Sequence, residues 1–233
     1  MADLQDYLDA LGSLVPGTHP LGDAEKTKAV GKALATHSKY KPLRIVEDVI
    51  GTGEAGYALS DLLSAWDEDF SGIQDVQCPV DADGRGESLD AGDWDVIERP
   101  TGKSLLFSAN VPAQEATFRV IYTARHGFTG EDDASTVPAA DEEAVHSLAA
   151  SFYCRMLAAA YAQDQDSTIH ADSVDHSSKR REYEAQAAKY RAEYDEHIGA
   201  GKKETLRPAC RIQDQDVSYP WGSDRLTHPS RWR

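Results

Sequence analysis

The chain has 233 residues, a hydrophobic fraction of 40% and a formal net charge of −16. That length and apolar content suit a folded chain with a substantial core rather than a disordered one. The acidity excludes a protein that coats DNA through a basic surface. No apolar run reaches the ~18–20 residues a membrane helix needs, and the acidic start MADLQDYLDA carries no signal-peptide pattern, which places folding in a cytosol.

Leu4, Tyr7, Leu8 and Leu11 recur at helical spacing, so residues 3–14 are expected to form a short helix. The stretch around Pro20 breaks it. Asp23 is placed to cap a second helix running to about Ser38, with Ala29, Val30, Ala33 and Leu34 on one face. Pro42 ends that stretch.

From Leu43 the pattern changes. Leu43–Ile50 and Ile73–Val80 read as strands, the second interrupted by Pro79. A short helix is expected near Leu59–Trp66, and residues 81–93 read as a polar loop. Trp94–Glu98 and Ser104–Ser108 flank Arg99–Gly102 as a hairpin, and Thr117–Thr123 is the clearest strand, rich in β-branched and aromatic residues. Residues 43–125 therefore form a mostly antiparallel β module.

After a loop at 126–136, Pro138 and the acidic residues Asp141, Glu142 and Glu143 announce a helix start. Val145, Leu148, Ala149, Phe152, Met156 and Ala159 make one apolar face. A further helix is expected from about Ser173 to Ile198, with Tyr183, Ala187, Tyr190, Tyr194 and Ile198 on its apolar stripe and Gly199 and Gly201 to end it. Each helix would span roughly 35–40 Å, and the short stretch between them makes an antiparallel hairpin. Phe152 and Met156 are expected in the core against the tyrosine stripe. The fold class is α+β: a helical bundle with a long C-terminal helical hairpin, a β-rich insertion and an extended C-terminal tail. The segments are 1–42 (N-terminal helices), 43–125 (β module), 126–199 (helical hairpin) and 200–233 (tail).

Several patterns look chemical. Gly51–Gly56 spells GxGxxG after a strand, with Asp75 some way on, but the fingerprint needs a helix and parallel βα units, whereas antiparallel strands follow here. A glycine-rich turn leaving an edge strand accounts for it. Asp81-Ala82-Asp83-Gly84 resembles the start of a calcium loop, yet its glycine comes too early and no closing Glu follows. His170, Asp172, Asp175 and His176 cluster between the last two helices as a conceivable metal group, although their spacing matches no named site and Asp172 or Ser173 also serves as a helix cap. Cys78, Cys154 and Cys210 read as free thiols. No cofactor is expected.

The tail differs from the body in charge. Residues 200–233 hold seven basic residues (Lys202, Lys203, Arg207, Arg211, Arg225, Arg231, Arg233) against four acidic ones (Glu204, Asp214, Asp216, Asp224), a net of +3, so the remaining 199 residues carry −19. Tyr219, Trp221, Arg225, Leu226, Arg231 and Trp232 concentrate the residue types that dominate binding interfaces. They are the candidate docking residues. Extended, 34 residues reach at most ~110 Å.

An ordered set of features carries a family likeness: Gly51–Tyr57, Trp66, Phe70–Ile73, Val76–Pro79, Trp94–Ile97, Phe118–Thr123, His126, Ser135–Pro138 opening an Ala-rich helix, Ile169–Asp175, and Ser178 through Gly199. Over roughly residues 25–199 this resembles the head–tail connector (adaptor) proteins of tailed bacteriophages. The resemblance implies a non-enzymatic subunit of a virion neck, made in the host cytoplasm. It implies self-association into a ring of about twelve copies, a portal protein as partner through the C-terminal segment, and a stopper or tail protein beyond. DNA would pass through the channel without specific binding, and an acidic lumen would keep it from sticking. Two alternatives remain open at this point: a stopper or tail-completion protein, and a metal-assisted hydrolase using His170, Asp172 and His176.

Overall fold

The computed structural model describes residues 2–17, 19–129, 134–163 and 176–199. It is an α+β fold, with helices at both ends of the described chain and strands between them.

Helix α1 (Leu4–Leu14) is opened by a reciprocal cap. The Asp6 N–H donates to the Asp3 carboxylate at 2.7 Å, and the Asp3 N–H donates to the Asp6 carboxylate at 3.0 Å. Helix α2 (Asp23–Tyr40) starts one residue earlier than a cap at Asp23 requires. Gly22 is the cap residue, and its N–H donates to Glu25 at 3.2 Å. Asp23 instead lies in the first turn and pairs with Lys26 at 2.9 Å, a favourable place for negative charge.

Strand β1 (Leu43–Ile50) follows directly. A four-stranded antiparallel sheet has the order β1–β7–β3–β4, where β3 is Ile73–Val80, β4 is Gly86–Ser88 and β7 is Thr117–Ala124. A three-stranded antiparallel sheet has the order β2–β6–β5, where β2 is Gly56–Ala58, β5 is Trp94–Arg99 and β6 is Gly102–Phe107. Short helix α3 (Leu59–Leu62) follows β2 and stops four residues before Trp66. Alternate residues of β7, Phe118, Val120, Tyr122 and Ala124, point into one core shared with Val76, Tyr57, Leu105 and Phe107. Phe107 meets Phe118 edge-on at 5.6 Å, joining the two sheets.

Four strands lie in stretches expected to be turn or loop. β2 and β4 are three residues each, and β8 (Phe128–Thr129) pairs with β9 (Ala134–Ser135) inside the expected 126–136 loop. Pro79 does not end β3. The peptide before it is cis, and the strand runs on to Val80 with a register shift.

Helices α4 (Ala139–Gln163) and α5 (His176–Ile198) form the antiparallel hairpin, about 38 and 35 Å long at 1.5 Å per residue. Tyr161 stacks on Tyr183 with ring centroids 5.5 Å apart, while His197 at the far end meets Asp141. Gly199 follows with φ +70°, a left-handed conformation that glycine adopts at no steric cost. Helix α4 touches α1, α2 and α5, and this changes the expected core. Val145, Leu148 and Ala149 are buried, but so are Tyr153, Cys154 and Leu157, which lie off the single predicted stripe. Phe152 and Met156 are only partly buried, at the margin, and Ala159 is exposed. A helix enclosed on several sides has no single apolar face to read. On α5, Ala187 and Tyr194 are fully buried, whereas Tyr183 and Tyr190 keep polar tips at the edge. The Tyr190 hydroxyl donates to the Leu14 carbonyl at 2.7 Å.

Candidate functional site

The β module leaves the helical bundle at the end of α2 and returns to it after β7. Both crossings are fastened at one polar cluster, buried around His37, His126 and Asp141 and open to solvent at Lys41 and His197. His37 and Ser38 come from the last turns of α2, Lys41 from the residue after it, His126 from the exit of β7, Thr136 and Asp141 from the entry to α4, and Tyr194 and His197 from the last turns of α5.

Asp141 is the hub. It is 7% exposed, and its Oδ1 accepts from Lys41 Nζ at 2.7 Å and faces His197 Nε2 at 2.7 Å. Burial by itself raises the Asp141 carboxyl, but the hydrogen bonds from Lys41 and His197 and the Lys41 charge outweigh it and hold the group below the usual carboxylate range.

His37 is fully buried. Its Nδ1 lies 3.1 Å from the Tyr194 hydroxyl, and its Nε2 lies 4.0 Å from Asp141 Oδ2 with no hydrogen-bond partner among the described residues. Burial is the main reason its pKa falls to about 4; the neighbouring His126 adds to the shift and Asp141 opposes it. At neutral pH this imidazole is therefore uncharged. Burial likewise keeps the Tyr194 hydroxyl protonated, well above the ordinary tyrosine range.

His126 closes the other crossing. Its backbone N–H donates to Ser38 Oγ at 2.8 Å, and Ser38 Oγ donates on to the Leu34 carbonyl at 2.7 Å. Its ring spans from the Lys41 carbonyl, 3.0 Å from Nε2, to Thr136, 3.1 Å from Nδ1. The Gly127 N–H also reaches Thr136 Oγ1 at 3.0 Å. One imidazole thus ties the outgoing crossing to the returning one. Chemically the cluster is a clasp. Apart from His37 Nε2, which faces Asp141 across 4.0 Å, its groups are spent on one another and on backbone.

None of these residues was singled out for this role by sequence reasoning, which gave Asp141 only a helix-dipole part. A usable signal existed in His37, which continues the apolar spacing of Val30, Ala33 and Leu34 on α2. A histidine on a buried stripe needs polar partners from elsewhere in the fold.

The candidate docking residues Tyr219, Trp221, Arg225, Leu226, Arg231 and Trp232 lie outside the described residues, as do His170, Asp172, Asp175 and Cys210. Of His176 only its place at the start of α5 is described. Among the described residues no group of three His, Cys, Asp or Glu side chains is arranged to hold a metal. The Asp81–Gly84 stretch is the β3–β4 hairpin loop, and the Asp81 carboxylate accepts from the Arg85 N–H at 2.7 Å. At Gly51 a Cβ would lie 2.6 Å from the Ala113 carbonyl, so close backbone approach requires that glycine, and strand β2 rather than a helix follows. Cys78 and Cys154 are free thiols, and burial pushes Cys154 up to about 11. No helix among the described residues is long and apolar enough to cross a membrane.

Compared with known proteins, the chain matches no family model and no curated sequence.

Proposed function

We propose that this chain is a structural, non-catalytic subunit of the neck of a tailed-phage virion. Copies of it form a ring of about twelve between the portal vertex and the tail, around the path of the DNA. The observation that carries the reading is the clasp. A β module inserted into a helical bundle is fixed at both of its crossings through Asp141 and His126, so bundle and module move together rather than as beads on a linker. A ring subunit that bridges two neighbours along the virion axis needs that rigidity between its ends.

Two further features support it. The body is strongly acidic, as suits a wall along which DNA slides without sticking. Residues 200–233 reverse the sign of the charge and carry Trp221, Trp232, Arg225 and Arg231, the residue types able to offset the entropy of ordering an extended segment on a partner. We assign this segment to the portal side.

The test is removal of residues 215–233 from the full chain in the producing phage. The expected result is a folded protein that no longer joins filled heads. Truncated protein that seals heads and supports tail joining at the normal level would overturn the docking assignment. Loss of tail joining with normal attachment to heads would place the segment at the stopper or tail side instead.

A further inference from the structure

Among the described residues strand β1 is the long open edge. It is eight residues long and pairs only with β7 on one side. Among the described residues no other backbone group bonds to it. The other edge strands are protected in different ways. β2 and β4 are three residues each, and on β5 the Val96 N–H is already taken by the Asp95 carboxylate at 2.8 Å. Shortness is one usual means of blocking unwanted pairing and edge charge another. β1 is not short, and its outward charges, Arg44 and Asp48, are of opposite sign.

Its side chains alternate strictly. Leu43, Ile45, Glu47 and Val49 turn toward the core, and Arg44, Val46, Asp48 and Ile50 turn outward. Val46 is 52% exposed and Ile50 68%, two of the few large apolar residues left so open. Arg44 has no partner among the described residues, and the Asp48 carboxylate is held by Arg119 at 2.6 and 2.9 Å while still 47% exposed. A long, exposed edge with Val46 and Ile50 open beside charges of opposite sign is a template for a strand that matches both.

We infer that the strand that covers it is β1 of a second copy, in an antiparallel pair centred on Val46. In that register Arg44 faces Asp48 of the second copy, Asp48 faces its Arg44, Val46 faces Val46 and Ile50 faces Pro42. The alternation forbids a slip of one residue, which would set outward side chains against inward ones. A slip of one register step toward the C-terminus sets Glu47 against Glu47, and a further step sets Asp48 against Asp48. Like charges directly opposed are destabilising, while opposite charges and β-branched pairs stabilise. The edge is thus complementary to itself in one register, and pairing extends the sheet through both copies as β4–β3–β7–β1–β1–β7–β3–β4.

The contact is two-fold and closes on itself as a pair, so it does not build a ring. It belongs to the unassembled protein, whose open edge it covers. It stands apart from the neck reading, whose test lies in residues 215–233.

The experiment is sedimentation and light scattering on the full chain and on V46K, with circular dichroism to confirm folding. A lysine at this exposed position leaves the fold intact and opposes itself across the two-fold axis. The wild type is expected to be a dimer and V46K a monomer. In parallel, V46C and I50C are oxidised and the bridged peptides identified. Opposed residues of an antiparallel pair have Cα atoms ~4.5–5.5 Å apart, within the Cα span a disulfide bridges, so V46C should bridge 46 to 46, while I50C, facing Pro42, should not bridge to itself. A monomeric wild type, an assembly unchanged by V46K, or a 50-to-50 bridge without a 46-to-46 bridge overturns the inference.

Discussion

The Tyr194 hydroxyl stands 3.1 Å from Nδ1 of His37, and both side chains are fully buried. Nε2 of the same ring points at the negative Asp141, 4.0 Å away, which favours a proton over a lone pair there, and in that tautomer the Tyr194 hydroxyl donates to Nδ1. Tyr194→Phe removes this donor and leaves a buried Nδ1 without a partner. The expected cost is about 1–3 kcal/mol in a urea titration. A change within experimental error would mean that the tyrosine hydroxyl does not hold the clasp.

Stability should depend on pH through His37. Its folded pKa, about 4, is below the ordinary 6.5. Above 6.5 the group is neutral in both states and contributes no slope. As pH falls through 6.5 the unfolded chain takes up a proton that the folded one refuses, so stability declines, and the decline from this group levels off below about 4. The full loss is on the order of 3–4 kcal/mol. Urea titrations at pH 7 and pH 5 should show the fall, and His37→Asn should reduce it. An unchanged slope in that variant would contradict the assignment.

Asp141 acts in the same direction at lower pH. Its carboxyl is held below its ordinary range, so the stability it contributes is present above that range and is lost as pH falls through the depressed folded value. Asp141→Asn should cost about 1–3 kcal/mol by weakening the bonds from Lys41 and His197. Limited proteolysis should then cut more readily near residues 41–43 and 125–127, where the two crossings lie. Cleavage there no faster than in the wild type would show that Asp141 does not fasten the crossings.

The packing of α4 separates two residues that sequence periodicity ranks in the wrong order. Leu157 is fully buried and Phe152 lies at the margin. Leu157→Ala should cost about 2–5 kcal/mol and Phe152→Ala distinctly less. Equal losses in chemical denaturation would place Phe152 in the core after all.

Much of this fold is legible in the sequence. β1 and β7 announce themselves because each carries β-branched residues over eight positions, joined in β7 by aromatic ones, and α1, α2 and α5 because their apolar residues repeat at helical spacing. Strands β2, β4, β8 and β9 do not, since two or three residues hold no period and owe their pairing to partners distant in sequence. The clasp was hidden for a related reason. His37, His126, Asp141 and His197 form no motif, and only the two crossings of the β module bring them together. The candidate docking residues stand on composition alone, because they lie beyond the described residues.

We propose above that this chain forms a ring in a virion neck. Electron cryomicroscopy of tailed particles from the producing phage tests it most directly, with the chain identified in the particles by mass spectrometry. A closed ring of this chain is expected between portal and tail, with the α4–α5 bundle around the channel and residues 200–233 along the portal. Particles that lack the chain, or that hold it elsewhere than the neck, would contradict it.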